Sequence, residues 1–216
     1  SPNIDALAAD GVRFAEHLSQ SSWTKCSMSS MWTGTYPART GVTRSHQAIS
    51  DNALMPADVR VVEAVQVDSL FHARHDARGK TYSYQLDTSL VGSPFLSPYA
   101  WHVGPGLDSA ALQAGAAALL GRLDQRAFAT QPETGDRTER PLQNAEVEVV
   151  DGLLRITIRG RSFLRFAVRG MVGTLIDVAR GRRTVDSVRA AAESGDRKLA
   201  GATAPPHGLC LERVHY

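Results

Sequence analysis

The dipeptide Asp151-Gly152 stands between two runs, Ala145 to Val150 and Leu153 to Ile158, in which apolar and polar residues alternate. Asp-Gly accepts the left-handed backbone of a two-residue type I′ turn, whose twist matches that of paired strands. Alternation with period two places one face of each run on a core. Together these features predict a β-hairpin and commit this part of the chain to an antiparallel sheet.

Other signals fill in the elements around the hairpin. Val59 to Val67 alternates as a strand, and so does Lys80 to Thr88. In the second of these, Lys80, Tyr82 and Tyr84 share one face and Thr81, Ser83 and Gln85 the other. The aromatic face is expected to pack and the hydroxyl-amide face to meet water. Asp108 precedes the alanine-rich run "SAALQAGAAALLGRL" as a helix cap, and Gly121 marks its end. In "SFLRFAVRGMVGTLIDVARG", residues Phe163, Ala167, Gly170, Met171, Thr174, Leu175 and Val178 recur at helical spacing and predict one buried stripe. Thr184 to Glu193 reads as a short helix and Leu209 to Tyr216 as a closing strand. Strands interrupted by single helices, with a tight hairpin among them, predict an α+β fold: an antiparallel sheet with helices on one side.

Charge is concentrated in the same region. Between Leu153 and Arg183 there are eight arginines, namely Arg155, Arg159, Arg161, Arg165, Arg169, Arg180, Arg182 and Arg183, against one acid, Asp177. Such a run attracts phosphate. Arg161, Arg165 and Arg169 fall four apart, so a helix beginning early enough would align them in a stripe of mutually repelling charges. A polyanion, nearby acids or plain solvation would each accommodate such a stripe. Arg180, Arg182 and Arg183 suit the negative end of a helix dipole.

Composition excludes several classes. The 216 residues are 43% hydrophobic and 21% charged with a net charge of +2, as in soluble globular chains. No apolar run approaches the roughly 18 residues of a membrane span, and no signal peptide opens the sequence, so a cytoplasmic protein without membrane contact is expected. Cys26 and Cys210 are the only cysteines, too few for a disulfide framework, and they lack metal-ligand spacing.

Five stretches carry a family resemblance: "NALMPADVRV", "FHARHDARGKTYSY", "SPFLSPYAWHV", "FLRFAVRGMVGTLIDVARG" and "DRKLAGATAPPHGLCLERVHY". In this order, from Asn52 to Tyr216, the chain resembles the C-terminal part of the tRNA pseudouridine synthase A family. The resemblance implies a homodimeric isomerase that converts uridine to pseudouridine in the anticodon arm of tRNA, without metal or cofactor. The reaction breaks the bond from ribose to the ring nitrogen and remakes it to carbon, and one essential aspartate serves it. By the same resemblance Tyr82, first tyrosine of the K-x-Y-x-Y pattern, lies against the target uracil. Arg169, in the V-R-x-M-V-G pattern, pairs with the catalytic aspartate, and Leu209 of the G-L-x-L pattern lines the pocket. Arg161 and Arg165 become candidate contacts to substrate phosphates. Ala167 and Gly170 stand where methionine and asparagine are usual, and Asp76 where a small residue is common. The family's R-T-D-A-G-V-H-A motif, which carries the aspartate, has as its nearest counterpart "ARTGVTRSH", Ala38 to His46, where no aspartate follows Thr40.

The first residues resemble something else. Ser1 to Val42 is similar to the N-terminal region of sulfatases and alkaline-phosphatase-like hydrolases. Counted back from Thr33 and Gly34, Thr24 rather than Cys26 takes the nucleophile position, and Met28 stands where an arginine is usual. Two segments are therefore expected: residues 1–50, a short, mainly helical sulfatase-like fragment, and residues 51–216, the synthase-like domain, joined near Ser45 to Pro56. The alternative function is that of a sulfuric or phosphoric ester hydrolase fragment, whose threonine nucleophile needs metal to activate it.

Overall fold

A computed structural model describes residues 62–63, 65–130 and 137–216. The chain divides into two compact units, Ser1–Phe71 and His72–Tyr216. The expected sulfatase-like fragment, with Thr24 and Cys26, lies outside the described residues. In the first unit, the described part of the expected strand Val59 to Val67 forms no strand. Val62, Val65 and Val67 are exposed, so their alternation marks no packed face. Alternation predicts a strand only where a partner covers one side of it.

The second unit is α+β. Its elements are β1 (Gly79–Asp87), β2 (Trp101–His102), α1 (Ser109–Ala118), β3 (Leu142–Val150), β4 (Leu153–Gly160), α2 (Ala167–Ala179), α3 (Val185–Ser194) and β5 (Leu209–His215). The sheet runs β2-β1-β4-β3, and β5 also pairs with β1. All pairings are antiparallel except the two-residue contact of β2, which sets Leu86 beside Trp101 and Asp87 beside His102 in parallel.

The hairpin forms as its turn residues require. Val150 pairs with Leu153, and Asp151 and Gly152 between them have φ of 52° and 78°. Inward residues of the strands, Tyr84, Leu86, Ile156 and Ile158, are buried with Leu112 and Leu119 of the first helical region and Met171, Val172, Leu175 and Ile176 of α2. Helices thus cover one face of the sheet. Asp108 caps α1 by accepting from the backbone N–H groups of Ala110 and Ala111 at 2.9 and 3.0 Å.

Two sequence expectations need correction. The second face of β1 does not simply meet water. Ser83 is buried and donates to Glu212, and the Thr81 hydroxyl lies 2.9 Å from Nε2 of His215. The cause is position: β1 has β4 on one side and β5 and β2 on the other, so long side chains of its neighbours cover it. The helix carrying the buried stripe starts only at Ala167, because Phe166 takes a left-handed conformation, φ 64°, at its N-terminal end. Phe163 is therefore not a helix residue, and Arg161 and Arg165 form no helical stripe with Arg169. They sit on the irregular segment between β4 and α2, both exposed.

Candidate functional site

The turn at Phe166 creates the most distinctive cavity of the second unit. It has a volume of about 320 Å³ and is lined by residues from three places in the chain. Tyr82 comes from β1; Phe163 to Arg169 come from the segment entering α2 and its first turn; Pro206 and Leu209 come from the approach to β5. Four of the five residues singled out in the sequence, Tyr82, Arg165, Arg169 and Leu209, thus meet at one site. Arg161 does not line it and lies on the surface nearby in sequence.

Each wall has a local cause. Strand alternation sends Tyr82 to the same face as Tyr84 but nearer the strand's beginning, where its ring meets Phe163 edge-on at 5.3 Å and 89°. The third wall is tied to both neighbours. The Ala204 carbonyl accepts from Nε of Arg169 at 2.6 Å, while the Ala204 N–H donates to the Arg169 carbonyl at 3.0 Å. One residue on, the Pro205 carbonyl accepts from the Tyr84 hydroxyl at 2.7 Å. These bonds hold the segment that turns through Pro206 into Leu209, whose N–H donates to the Pro206 carbonyl at 3.1 Å.

The site is electropositive. The guanidinium groups of Arg165 and Arg169 stand over the Phe166 ring, 5.0 and 5.1 Å from its centroid. Phe166 offers no side-chain cap to α2, whose first residues, Ala167 to Arg169, line the cavity and bring the positive end of the helix dipole to it. A bulky residue with positive φ stores about 1–3 kcal/mol of strain, which is common at ligand sites. Among the described residues Arg169 has no carboxylate partner, and none of those lining the cavity is acidic. Burial raises the Tyr82 phenol above its ordinary value, so at neutral pH it remains a protonated, uncharged ring. Burial also raises Tyr84, with Arg169 opposing it. An aromatic floor flanked by two guanidinium groups suits a flat ring carried on an anionic backbone.

Sequence reasoning missed Phe163, Leu164, Phe166 and Pro206. Helical spacing places Phe163 on the buried stripe. The spacing of Phe163 and Phe166 around Arg165 is a usable signal, but only the break before Ala167 brings both residues to the cavity. Among the described residues no group of three or more histidines, cysteines or acids is placed to hold a metal ion.

Fold and site define the class: a sheet domain covered by helices on one face, with an aromatic, cationic, nucleotide-sized pocket at a helix N-terminus. Residues 116–216 match the tRNA pseudouridine synthase family. Among curated proteins, the tRNA pseudouridine synthase A of Thermus thermophilus is 43% identical over 169 residues, 76% of this chain and 66% of that protein. That of Syntrophotalea carbinolica is 39% identical over 165 residues, 76% of this chain and 66% of its own length. For the protein of Geotalea uraniireducens the values are 36% over 180 residues, 82% and 74%. The chain belongs to the tRNA pseudouridine synthase A family. It spans just under two thirds of the length of several of these relatives, 63% for that of Myxococcus xanthus.

Proposed function

We propose that the second unit is the uridine-binding part of a tRNA pseudouridine synthase acting on the anticodon arm. The observation that carries this reading is the convergence of Tyr82, Arg169 and Leu209 on one cavity beside Arg165. A uridine extruded from its stack stacks on Tyr82, with Leu209 as the opposing apolar wall. Arg169 is poised to hold a carboxylate ionised, so that it can act as nucleophile or base at the ribose or the ring. That carboxylate has no counterpart in "ARTGVTRSH". The pure chain is therefore expected to bind tRNA but to leave its uridines unconverted, as read by carbodiimide labelling of pseudouridine after incubation with unmodified tRNA. Catalytic conversion would overturn the assignment of the missing group.

The reading includes a cytoplasmic homodimer. Leu90, Val91, Phe95 and Tyr99 in the β1–β2 connection, 81, 79, 87 and 70% exposed, support a protein contact there. Among the described residues no helix is long and apolar enough to cross a membrane. The division into residues 1–50 and 51–216 is part of the same proposal, with residues 1–50 of sulfatase-like origin.

Arg161 and Arg165 are assigned to phosphates because both are exposed on the segment that leads into α2 and neither has an ion-pair partner among the described residues. Each neutralised phosphate releases counterions, so replacing either arginine by alanine is expected to flatten the salt dependence of tRNA binding by roughly one unit or less per contact. Replacing Arg169 should weaken capture of the base more than it changes that slope. Fluorescence titration of tRNA at several salt concentrations checks both, and an unchanged slope returns the two residues to a solvated surface.

A further inference from the structure

Gln125 is a polar side chain with no exposed surface, in the short turn that follows α1. Its amide is fully used. Nε2 donates to the carbonyls of Arg140 at 3.0 Å and Ser162 at 3.2 Å, and Oε1 accepts from the N–H of Leu164 at 2.8 Å. Two of the three partners flank Phe163, within the irregular segment that forms the long wall of the cavity. That segment has no ladder or helix to define its path between Gly160 and Ala167. Another tie there, from the Thr130 N–H to the Arg165 carbonyl, is weak at 3.3 Å.

Gln125 itself is firmly placed. Its N–H donates to the Thr138 carbonyl at 3.0 Å, and its own carbonyl accepts from Phe128 and Ala129 at 3.0 and 2.9 Å. A buried amide bonded only to backbone, on a fixed support, transmits position rather than charge. An apolar side chain of the same size would fill the space but take the acceptor from Leu164 N–H and this donor from the Ser162 carbonyl, and the wall would relax to find other partners.

We propose that Gln125 is a positioning residue for this pocket: it sets the path of Ser162 to Leu164 and thereby where the Phe163 and Phe166 rings and the Arg165 guanidinium stand. It touches no ligand. The geometric part depends on no functional assignment, whereas its effect on uridine binding rests on the reading proposed above.

The test compares Gln125→Met with Val188→Ala in the full chain. Val188 is a fully buried residue of α3 that neither lines the pocket nor takes part in the hydrogen bonds of Gln125 to the wall, so its truncation destabilises while leaving those bonds in place. In Gln125→Met the NMR signals of the Phe163 to Phe166 backbone amides and of Arg165 Nε are expected to shift or broaden. Those of Arg169 Nε, held by Ala204, and of Tyr84 to Leu86 should persist. Val188→Ala should leave all of these in place. At a temperature where both variants are fully folded, affinity for hexauridylate should fall about fivefold or more in Gln125→Met, the effect of losing one or more buried hydrogen bonds. Val188→Ala, which removes no hydrogen bond to the wall, should change it less than about twofold. If Gln125→Met does not fold, Gln125→Asn, one methylene shorter with its amide intact, should show the same signal pattern. Unmoved wall signals in the glutamine variants, or equal movement in Val188→Ala, would overturn the proposal. Moved wall signals in a protein whose wild type ignores hexauridylate would uphold it and sink the uridine reading instead.

Discussion

Gly173→Ala is expected to destabilise the protein by about 3 kcal/mol, the upper range for forcing atoms into a packed site. A Cβ at Gly173 would lie 1.7 Å from the carbonyl oxygen of Ala202, which is backbone and cannot rotate away. The segment after α3 runs this close because it is bonded along α2. Gly201 N–H donates to Thr174 Oγ1 at 2.8 Å, that hydroxyl donates to the Gly170 carbonyl at 2.7 Å, and Ala204 bonds Arg169 in both directions. Displacing Ala202 strains all of these bonds, including those that hold Arg169 at the cavity. A loss of about 3 kcal/mol corresponds to a fall in Tm of about 10 °C for a domain of this size, measurable by thermal unfolding. A change within about 2 °C would show that the helix and the segment are not so closely packed. Gly170 is similar, with a Cβ position 2.0 Å from the carbonyl oxygen of Phe128. The turn carrying Gln125 passes this close to the helix, and only glycine leaves room for it.

Tyr82→Ala is expected to weaken binding of uridine-containing RNA by about ten- to hundredfold, the effect of removing one base–aromatic stack. The ring is one wall of the cavity and is held edge-on by Phe163, so no neighbouring aromatic can take its place without leaving its own position. Tyr82→Phe keeps the face and should retain most of the affinity. Because burial keeps the phenol protonated, the wild-type affinity should not change with ionisation of Tyr82 through the neutral range. Titration of a short uridine-containing RNA with the three proteins separates the cases. Equal affinity of wild type and Tyr82→Ala would remove the base from this cavity.

Much of the fold was legible along the chain. Asp151-Gly152 specified its hairpin because a two-residue turn is a local object whose backbone requirement only a few residues meet. The cap Asp108 marked a helix start for the same reason: it satisfies backbone N–H groups two and three residues away. Local signals failed where a neighbour decided. The valines around Val65 alternate without a partner, and the polar face of β1 is covered because β1 lies inside the sheet. The α2 helix starts later than its periodicity indicates, because that periodicity continues through Phe163, while the left-handed Phe166 that ends the helix on the N-terminal side has no signature in composition.

By itself the sequence determined an antiparallel sheet with helices on one face, and its resemblance raised the expectation of a shared site for Tyr82, Arg169 and Leu209, which do line one cavity. It did so because strand alternation, turn chemistry and caps act within a few residues. Only the tertiary structure decided that Phe163, Phe166 and Pro206 complete the cavity, that Arg165 stands at it while Arg161 does not, and that a buried glutamine on a distant turn holds its wall. Those facts depend on which backbone segments lie within hydrogen-bonding distance once the chain has folded. Gln125 meets Ser162, and Ala204 meets Arg169 of α2, through the packing of the whole unit, and no local pattern encodes those meetings.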